Sequence, residues 1–288
     1  MISRKTADSI IEKLIFICGI AAIILVALIF FFLLREGLSF FAEYKITDFL
    51  SGRFWYPTSG KFGILPLIMG SLLVTVGAAV LAIPIGVMAA FYISEVAPLS
   101  VRDILKSGIE LLAAIPSVVI GFIGMVTIVP LIRNVFDLPT GLSAFSGALV
   151  LAFMALPTIV SISEDAIRAV PWNYKEGALA LGATKWQTMY RVVLPAAAPG
   201  ILAAVMLGLG RVIGETMAVM MITGNAAAIP ASIFDPVRTL TATIASEMGE
   251  TVRGGMHYHA LFAIGLVLFI ITFIINFIAD TFLNRGRK

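Results

Sequence analysis

Two side chains sit where a strongly apolar sequence has an evident reason to exclude them: Arg211 and Glu215, in LGLGRVIGETMAVMMITGN. Four residues apart, they would share one face of a helix. If this stretch crosses a membrane, a charge at its centre costs about 2.5–3.5 kcal/mol on insertion scales. Such a pair is expected to face a bundle interior or a watery path rather than lipid. The planar fork of a guanidinium suits phosphate or carboxylate oxygens, so Arg211 is expected to attract an oxyanion. Glu215 repels an anion unless that anion carries a proton to donate. Phosphate near neutral pH has one and sulfate does not. A site built around that hydrogen bond discriminates well, because a ligand lacking it leaves a buried group unpaired. Thr216 adds a hydroxyl beside the pair. The competing reading is an i, i+4 pair that neutralises itself or meets a neighbouring subunit, although Arg before Glu is the poorer order for such a pair.

Other polar residues in apolar surroundings carry weaker signals. Ser117 follows Pro116, which frees a carbonyl one turn earlier, and the serine hydroxyl can bond locally. Either the span breaks there or it only kinks for packing. Ser71 and Thr75, one turn apart, are weaker pathway candidates, since small hydroxyls within spans more often mediate helix contacts. His257 and His259 lack a third and fourth ligand nearby, so they read as interfacial polar residues and no metal is expected. Glu164 and Asp165 read as a charge cluster at a helix end, with Glu164 and Arg168 in the favourable i, i+4 order. No Ser-His-Asp set can be argued into one place, and no G-x-x-x-x-G-K-[ST] cradle for nucleotide phosphates is present. The chain is expected to be non-catalytic and to bind no cofactor of its own. Cys18 lies in an apolar run and reads as a packing residue.

These residues need membrane helices to position them. Of 288 residues, 60% are hydrophobic and 13% charged, a composition that fits a polytopic membrane protein and not a soluble domain. The net charge of +3 belongs to basic residues flanking apolar runs, so nucleic acid is not an expected partner. Apolar runs of about 20 residues, enough to cross roughly 30 Å of hydrocarbon, occur at 14–34, 67–93, 109–132, 143–162, 196–222 and 261–282. The expectation is an all-α membrane protein of six spans in one domain spanning 1–288. Its N-terminal anchor, 14–34, is retained rather than cleaved, since the run is too long for a signal-peptide core. A core follows over about 64–283. Within the fifth span, Gly210-x-x-x-Gly214 offers a close helix contact. Trp55, Tyr56 and Pro57 read as an interfacial belt, and Thr239 to Met248 as a short interfacial helix. Twelve of the twenty Lys and Arg fall at the two termini and in the loops 94–108 and 163–194, which puts both termini in the cytoplasm.

The loop 163–195 is the longest polar stretch on that basic side. Pro171 suits a first helical position and Gly182 a stop that requires positive φ. Trp172 to Leu181 therefore reads as a short helix outside the membrane that buries one side against something, with Pro195 opening the next span.

Here the sequence resembles a known family. Glu176-Gly177-Ala178, three residues, Gly182, nine residues and Val192-x-Leu194-Pro195 look like the cytoplasmic EAA loop of ABC importer permeases. Gly177 stands where Ala is usual, which loosens the helix by up to about 1 kcal/mol, and Val192 stands where Ile is usual. Ile115-Pro116-Ser117-Val118-Val119-Ile120-Gly121 and Gly214-Glu215-Thr216-Met217-Ala218-Val219, followed by Gly224-Asn225, resemble the phosphate-specific permeases. The Met-Ala-Val continuation is closer to the PstC branch than to the PstA branch. The likeness runs from about Trp55 to the end and is weak in the first span. It implies a prokaryotic inner-membrane protein with a coupling helix carrying Glu176, Gly177, Ala178 and Gly182. It also implies a second, PstA-like permease, a pair of ATPase subunits holding ATP and Mg, and an extracytoplasmic phosphate-binding protein. The alternatives are a permease for another oxyanion or polar solute, an ATP-independent channel or secondary transporter, and a membrane enzyme.

Overall fold

The computed structural model describes residues 4–285. Helix α1 (Arg4–Phe41) is followed by the short α2 (Ile46–Ser51) and a two-stranded antiparallel hairpin, β1 (Trp55–Tyr56) with β2 (Lys61–Phe62). Then come α3 (Leu65–Phe91), α4 (Leu99–Ala114), α5 (Ser117–Ile123), α6 (Val129–Val135), α7 (Ala144–Arg168) and α8 (Trp172–Ala180). The chain ends with α9 (Lys185–Thr188), α10 (Leu194–Gly214), α11 (Met217–Ile222), α12 (Leu240–Glu247) and α13 (Met256–Arg285). Among the described residues, six helical stretches are long and apolar enough to span a bilayer.

Helix α7 is the centre of the bundle, with α3 and α10 packed against it. Small residues let the backbones close in, the usual means of packing helices where lipid supplies no hydrophobic drive. Ile159 of α7 fills the space beside Gly86 of α3 and Gly208 of α10; a Cβ at either glycine would approach it to 2.7 or 2.5 Å. Gly208 therefore makes the close approach in the fifth span. Gly210 and Gly214, expected to do so, face open space on this chain. Helix α1 packs along α13, and its apolar surface is otherwise exposed, as a lipid-facing anchor requires.

Several boundaries differ from the sequence reading, each for a local reason. The loop expected at 94–108 is the start of α4, which runs on to Ala114; Ile115-Pro116 is extended, and the third span begins only at Ser117. Residues 109–114 thus belong to α4, and Pro116 marks a break between two helices rather than a kink within one. Helix α4 turns its polar side inward: Arg102 donates to the carbonyls of Ile93 and Ser94, and Lys106 reaches Glu164 and Asp165. Its Ile104 and Leu111 stay exposed. The fifth span starts at Lys185, ten residues before Pro195. A wider π turn over Met189–Val193 precedes Pro195, as another over Gly124–Ile128 precedes Pro130. A local change of helical register of this kind accommodates a proline that lacks its amide hydrogen.

At the end of the bundle away from α8, two further expectations are corrected. Trp55 is buried, not part of an exposed belt, because its indole donates to the Glu247 carboxylate. Helix α12 is no surface helix: Leu240, Thr241, Ala242 and Thr243 are buried. It dips into the bundle between α3, α11 and α13. The turn expected at Gly224-Asn225 is present, with φ of 81° and 54°.

Candidate functional site

Helix α10 stops at Gly214. Glu215 is extended (φ −67°, ψ 132°), and α11 begins at Met217. Arg211 and Glu215 are thus not on one continuous helical face, and no ion pair joins them among the described residues. The self-neutralising pair is ruled out by geometry. The break is stabilised locally: Glu215 Oε1 accepts from the Ala218 amide at 3.2 Å, satisfying a free donor of the first turn of α11. The Thr216 hydroxyl donates back to the Gly214 carbonyl at 3.1 Å.

What surrounds Glu215 arrives from distant parts of the chain. Ser71 and Thr75 of α3, Val212 and Ile213 of α10, and Thr239 and Thr241 at the start of α12 line one narrow cleft with it. Its interior volume is about 10 Å³, on the order of the space one water needs. The Ser71 hydroxyl accepts from the Leu240 amide at 2.9 Å, and Thr241 donates to the Glu215 carbonyl at 2.9 Å. Thr239 caps α12 by accepting from the Ala242 amide at 3.2 Å, and its hydroxyl lies 3.1 Å from that of Thr241. The structure therefore brings Ser71, Thr75 and Glu215 together. Ser117 does not join them; it begins α5, which packs on α11 through Gly121 and Ala218. Thr216 turns its hydroxyl to its own backbone. Thr239 and Thr241 were missed in the sequence; the run Thr239-Leu-Thr-Ala-Thr243 was the available signal.

Arg211 is half-buried in a span, and its guanidinium has no hydrogen-bond or ion-pair partner among the described residues. A cation left so is costly in a membrane and points to a function. The bundle also holds an apolar cavity of about 510 Å³ between α3, α4, α5 and α7, lined by residues such as Leu81, Ile85, Phe153 and Leu156. Its one hydroxyl, Thr127, is already committed to the Ile123 carbonyl, so this cavity has nothing to offer an anion.

At the α8 end, Gly182 has the positive φ expected, 83°. Pro171 is the residue before the helix rather than its first position, and Leu181 the residue after it. No residue of α8 is buried, so nothing on this chain covers the side that was expected to be buried. The Trp172 indole donates to Glu176 at 2.7 Å, and Lys175 pairs with Glu95 at 2.6 Å. Gln187 and Thr184 cap α9 reciprocally. A groove of about 540 Å³ runs under α8, lined by Tyr174, Gly177, Ala178, Leu181, Gly182 and Arg191 among others. Leu181 is 91% exposed. Beside it, Glu164 is buried with Lys106 at 2.8 Å and Arg168 at 3.3 Å, so the pair read in the sequence forms with an unforeseen third member. These bonds, first to Glu164 and then to Asp165, raise the Lys106 ammonium above its ordinary value.

His257 and His259 have carboxylate neighbours: Nε2 of His257 lies 2.8 Å from Glu247, and Nδ1 of His259 lies 3.2 Å from Glu36.

Residues 82–288 match the family described as binding-protein-dependent transport system inner membrane component. Among curated proteins, the chain is 41% identical over 275 residues to the probable ABC transporter permease protein YqgH of Bacillus subtilis, covering 94% of this chain and 89% of that one. It is 39% identical over 257 residues to the phosphate transport system permease protein PstC of Mesorhizobium japonicum, covering 83% and 78%. Among solved structures, a bacterial ABC transporter involved in the import of alginate superposes with a TM-score of 0.65 at 16% identity, covering 99% of this chain and 100% of that one. The inward-facing MetNI methionine transporter gives 0.59 at 19% identity, covering 81% and 99%. At such identities the structural likeness speaks to the fold.

Proposed function

Because this chain belongs to the family of binding-protein-dependent transport system inner membrane components, we propose that it is the PstC-like permease subunit of an ATP-driven phosphate importer. Its fold is that of ABC importer permeases, and it is a multi-pass membrane protein. Relatives named as phosphate permeases, at 35–39% identity, support the substrate. The observation on this chain that carries the reading is Arg211, an unpartnered cation in a span close in sequence to the Glu215 cleft. Arg211 attracts the anion. Glu215 Oε2, which accepts no hydrogen bond among the described residues, accepts one from the proton that phosphate retains. Ser71, Thr75, Thr239 and Thr241 supply hydroxyls as the cleft opens. With about 10 Å³ inside, the cleft admits no oxyanion in this state, so passage requires the helices around it to move, as alternating access does.

The chain works as one permease domain, with a core over about 64–283 and α1 as an added anchor. ATP and Mg bind a separate pair of ATPase subunits. These dock on α8 through Glu176, Gly177, Ala178 and Gly182, whose exposed faces this chain leaves uncovered. A second, PstA-like permease completes the pathway, and an extracytoplasmic binding protein delivers phosphate. The distribution of Lys and Arg supports a reading with both termini and α8 on the cytoplasmic side, of a prokaryotic inner membrane.

The test is reconstitution with the second permease, the ATPase pair and the binding protein, measuring ATP-dependent uptake of labelled phosphate. Uptake should need ATP and resist competition by sulfate. Arg211→Ala should abolish it while the assembled complex remains. Uptake competed by sulfate or molybdate but not by phosphate would assign the pathway to another oxyanion, and uptake without the ATPase would refute the importer.

A further inference from the structure

Helix α8 has few attachments to the body of the protein. Its ends continue into the segments leading from α7 and to α9, and none of its residues is buried. Among the described residues, its side chains make one ion pair with another element, from Lys175 Nζ to Glu95 Oε1 at 2.6 Å. That pair is withdrawn from water, the two side chains being 12% and 8% exposed. Glu95 lies in the π turn, Tyr92–Val96, that ends α3. The same helix carries Ser71 and Thr75 into the Glu215 cleft, about 30–36 Å away along its axis. On the other side, the Lys175 ammonium stands 5.3 Å from the centre of the Trp172 ring, and the Trp172 indole donates to Glu176. An unbroken run of contacts leads from exposed Glu176 through Trp172 and Lys175 to Glu95.

We propose that the Lys175–Glu95 pair is a positioning link that carries displacement of α8 into α3 and so to the cleft. This rests on the reading of the chain as an ATP-driven permease. A pair this sheltered is weakly screened by salt. Separating it would strand a charge in a medium of low dielectric, so the end of α3 follows α8 rather than letting go. Helix α3 is a continuous rod apart from Pro84, which lies between Glu95 and Thr75 and supplies the place for it to pivot. The other ion pairs at this end cannot substitute, because Glu164 binds Lys106 of α4 and Arg168 of α7 itself and makes no ion pair with α8 among the described residues.

The experiment reverses the charges, as Lys175→Glu, Glu95→Lys and both together, in the complete complex in vesicles. A neutral pair, Lys175→Met with Glu95→Gln, guards against misfolding of the single reversals. Assembled complex, ATP hydrolysis with and without loaded binding protein, and phosphate taken up per ATP are measured. Each single reversal and the neutral pair should assemble and still hydrolyse ATP, but take up about tenfold less phosphate per ATP. The double reversal should recover most of the loss. Undiminished uptake per ATP in the neutral pair, a loss that merely tracks the amount of assembled complex, or no rescue by the double reversal would overturn the link. If the wild-type complex takes up no phosphate, the substrate reading fails separately. The link is then judged on stimulation of ATP hydrolysis by the binding protein, which must be lost in the neutral pair and regained in the double reversal.

Discussion

The two ends of this bundle are finished in opposite ways. Away from α8, one carboxylate, Glu247, collects donors from three other segments: Arg238 at 2.6 Å, His257 at 2.8 Å and the Trp55 indole at 3.0 and 3.1 Å. Around it Phe40, Phe49, Trp55 and Phe62 are fully or almost fully buried. That end closes on itself, with Glu247 fully engaged and these four rings covered. At the other end α8 has no buried residue, and Leu181, Trp186 and Tyr190 stand in the open at 91%, 68% and 63% exposure. Leu181 lies outside the fifth span, which starts at Lys185, so an apolar side chain left this uncovered there marks a surface meant to be covered by another protein. The difference teaches where this chain's folding ends and its assembly begins.

The largest effect should come from breaking the closed end. Glu247→Ala leaves an arginine, an indole and a histidine without their shared acceptor, and should cost about 3 kcal/mol, read as a lower thermal unfolding midpoint in detergent. Next, Lys106→Met strips buried Glu164 of its nearer cation and should cost about 2 kcal/mol. The pH dependence of that difference follows from the raised Lys106 ammonium. A group whose value rises on folding stabilises fully below its unfolded value, here 10.5, and the gain is lost as pH climbs through the folded one. The difference between wild type and Lys106→Met should therefore be flat through neutral pH and shrink only in strong alkali.

At the open end, stability and assembly should separate. Leu181→Ser should change unfolding by no more than about 0.5 kcal/mol. It should nonetheless weaken retention of the ATPase subunit in pull-down by roughly tenfold, since burying a leucine contributes about 1.5–3 kcal/mol. A matching loss of stability would mean that α8 is packed on this chain after all. The smallest effect is Gly177→Ala. Open space surrounds its missing Cβ, so alanine should favour the helix by up to about 1 kcal/mol. Slower amide exchange confined to α8 would check it.

The sequence by itself determined the features whose energetics are local. Six apolar runs mark the spans, because transfer of a helix into hydrocarbon is nearly a sum over its own residues. Gly182 marks the end of α8, because a positive φ is a property of one residue. The ion pair of Glu164 with Arg168 was legible from its spacing. Only the tertiary structure decided where the backbone leaves the helix inside the bundle. The sequence around Arg211 and Glu215 reads as uninterrupted helix, yet α10 ends at Gly214. Glu215 instead receives an amide of α11 on its carboxylate and a hydroxyl of α12 on its carbonyl. In the same way α12 is buried because Ser71, 169 residues earlier in the chain, accepts the amide of Leu240. A polar backbone group at membrane depth needs a partner. When that partner comes from a distant segment, no window of sequence contains both halves of the bond.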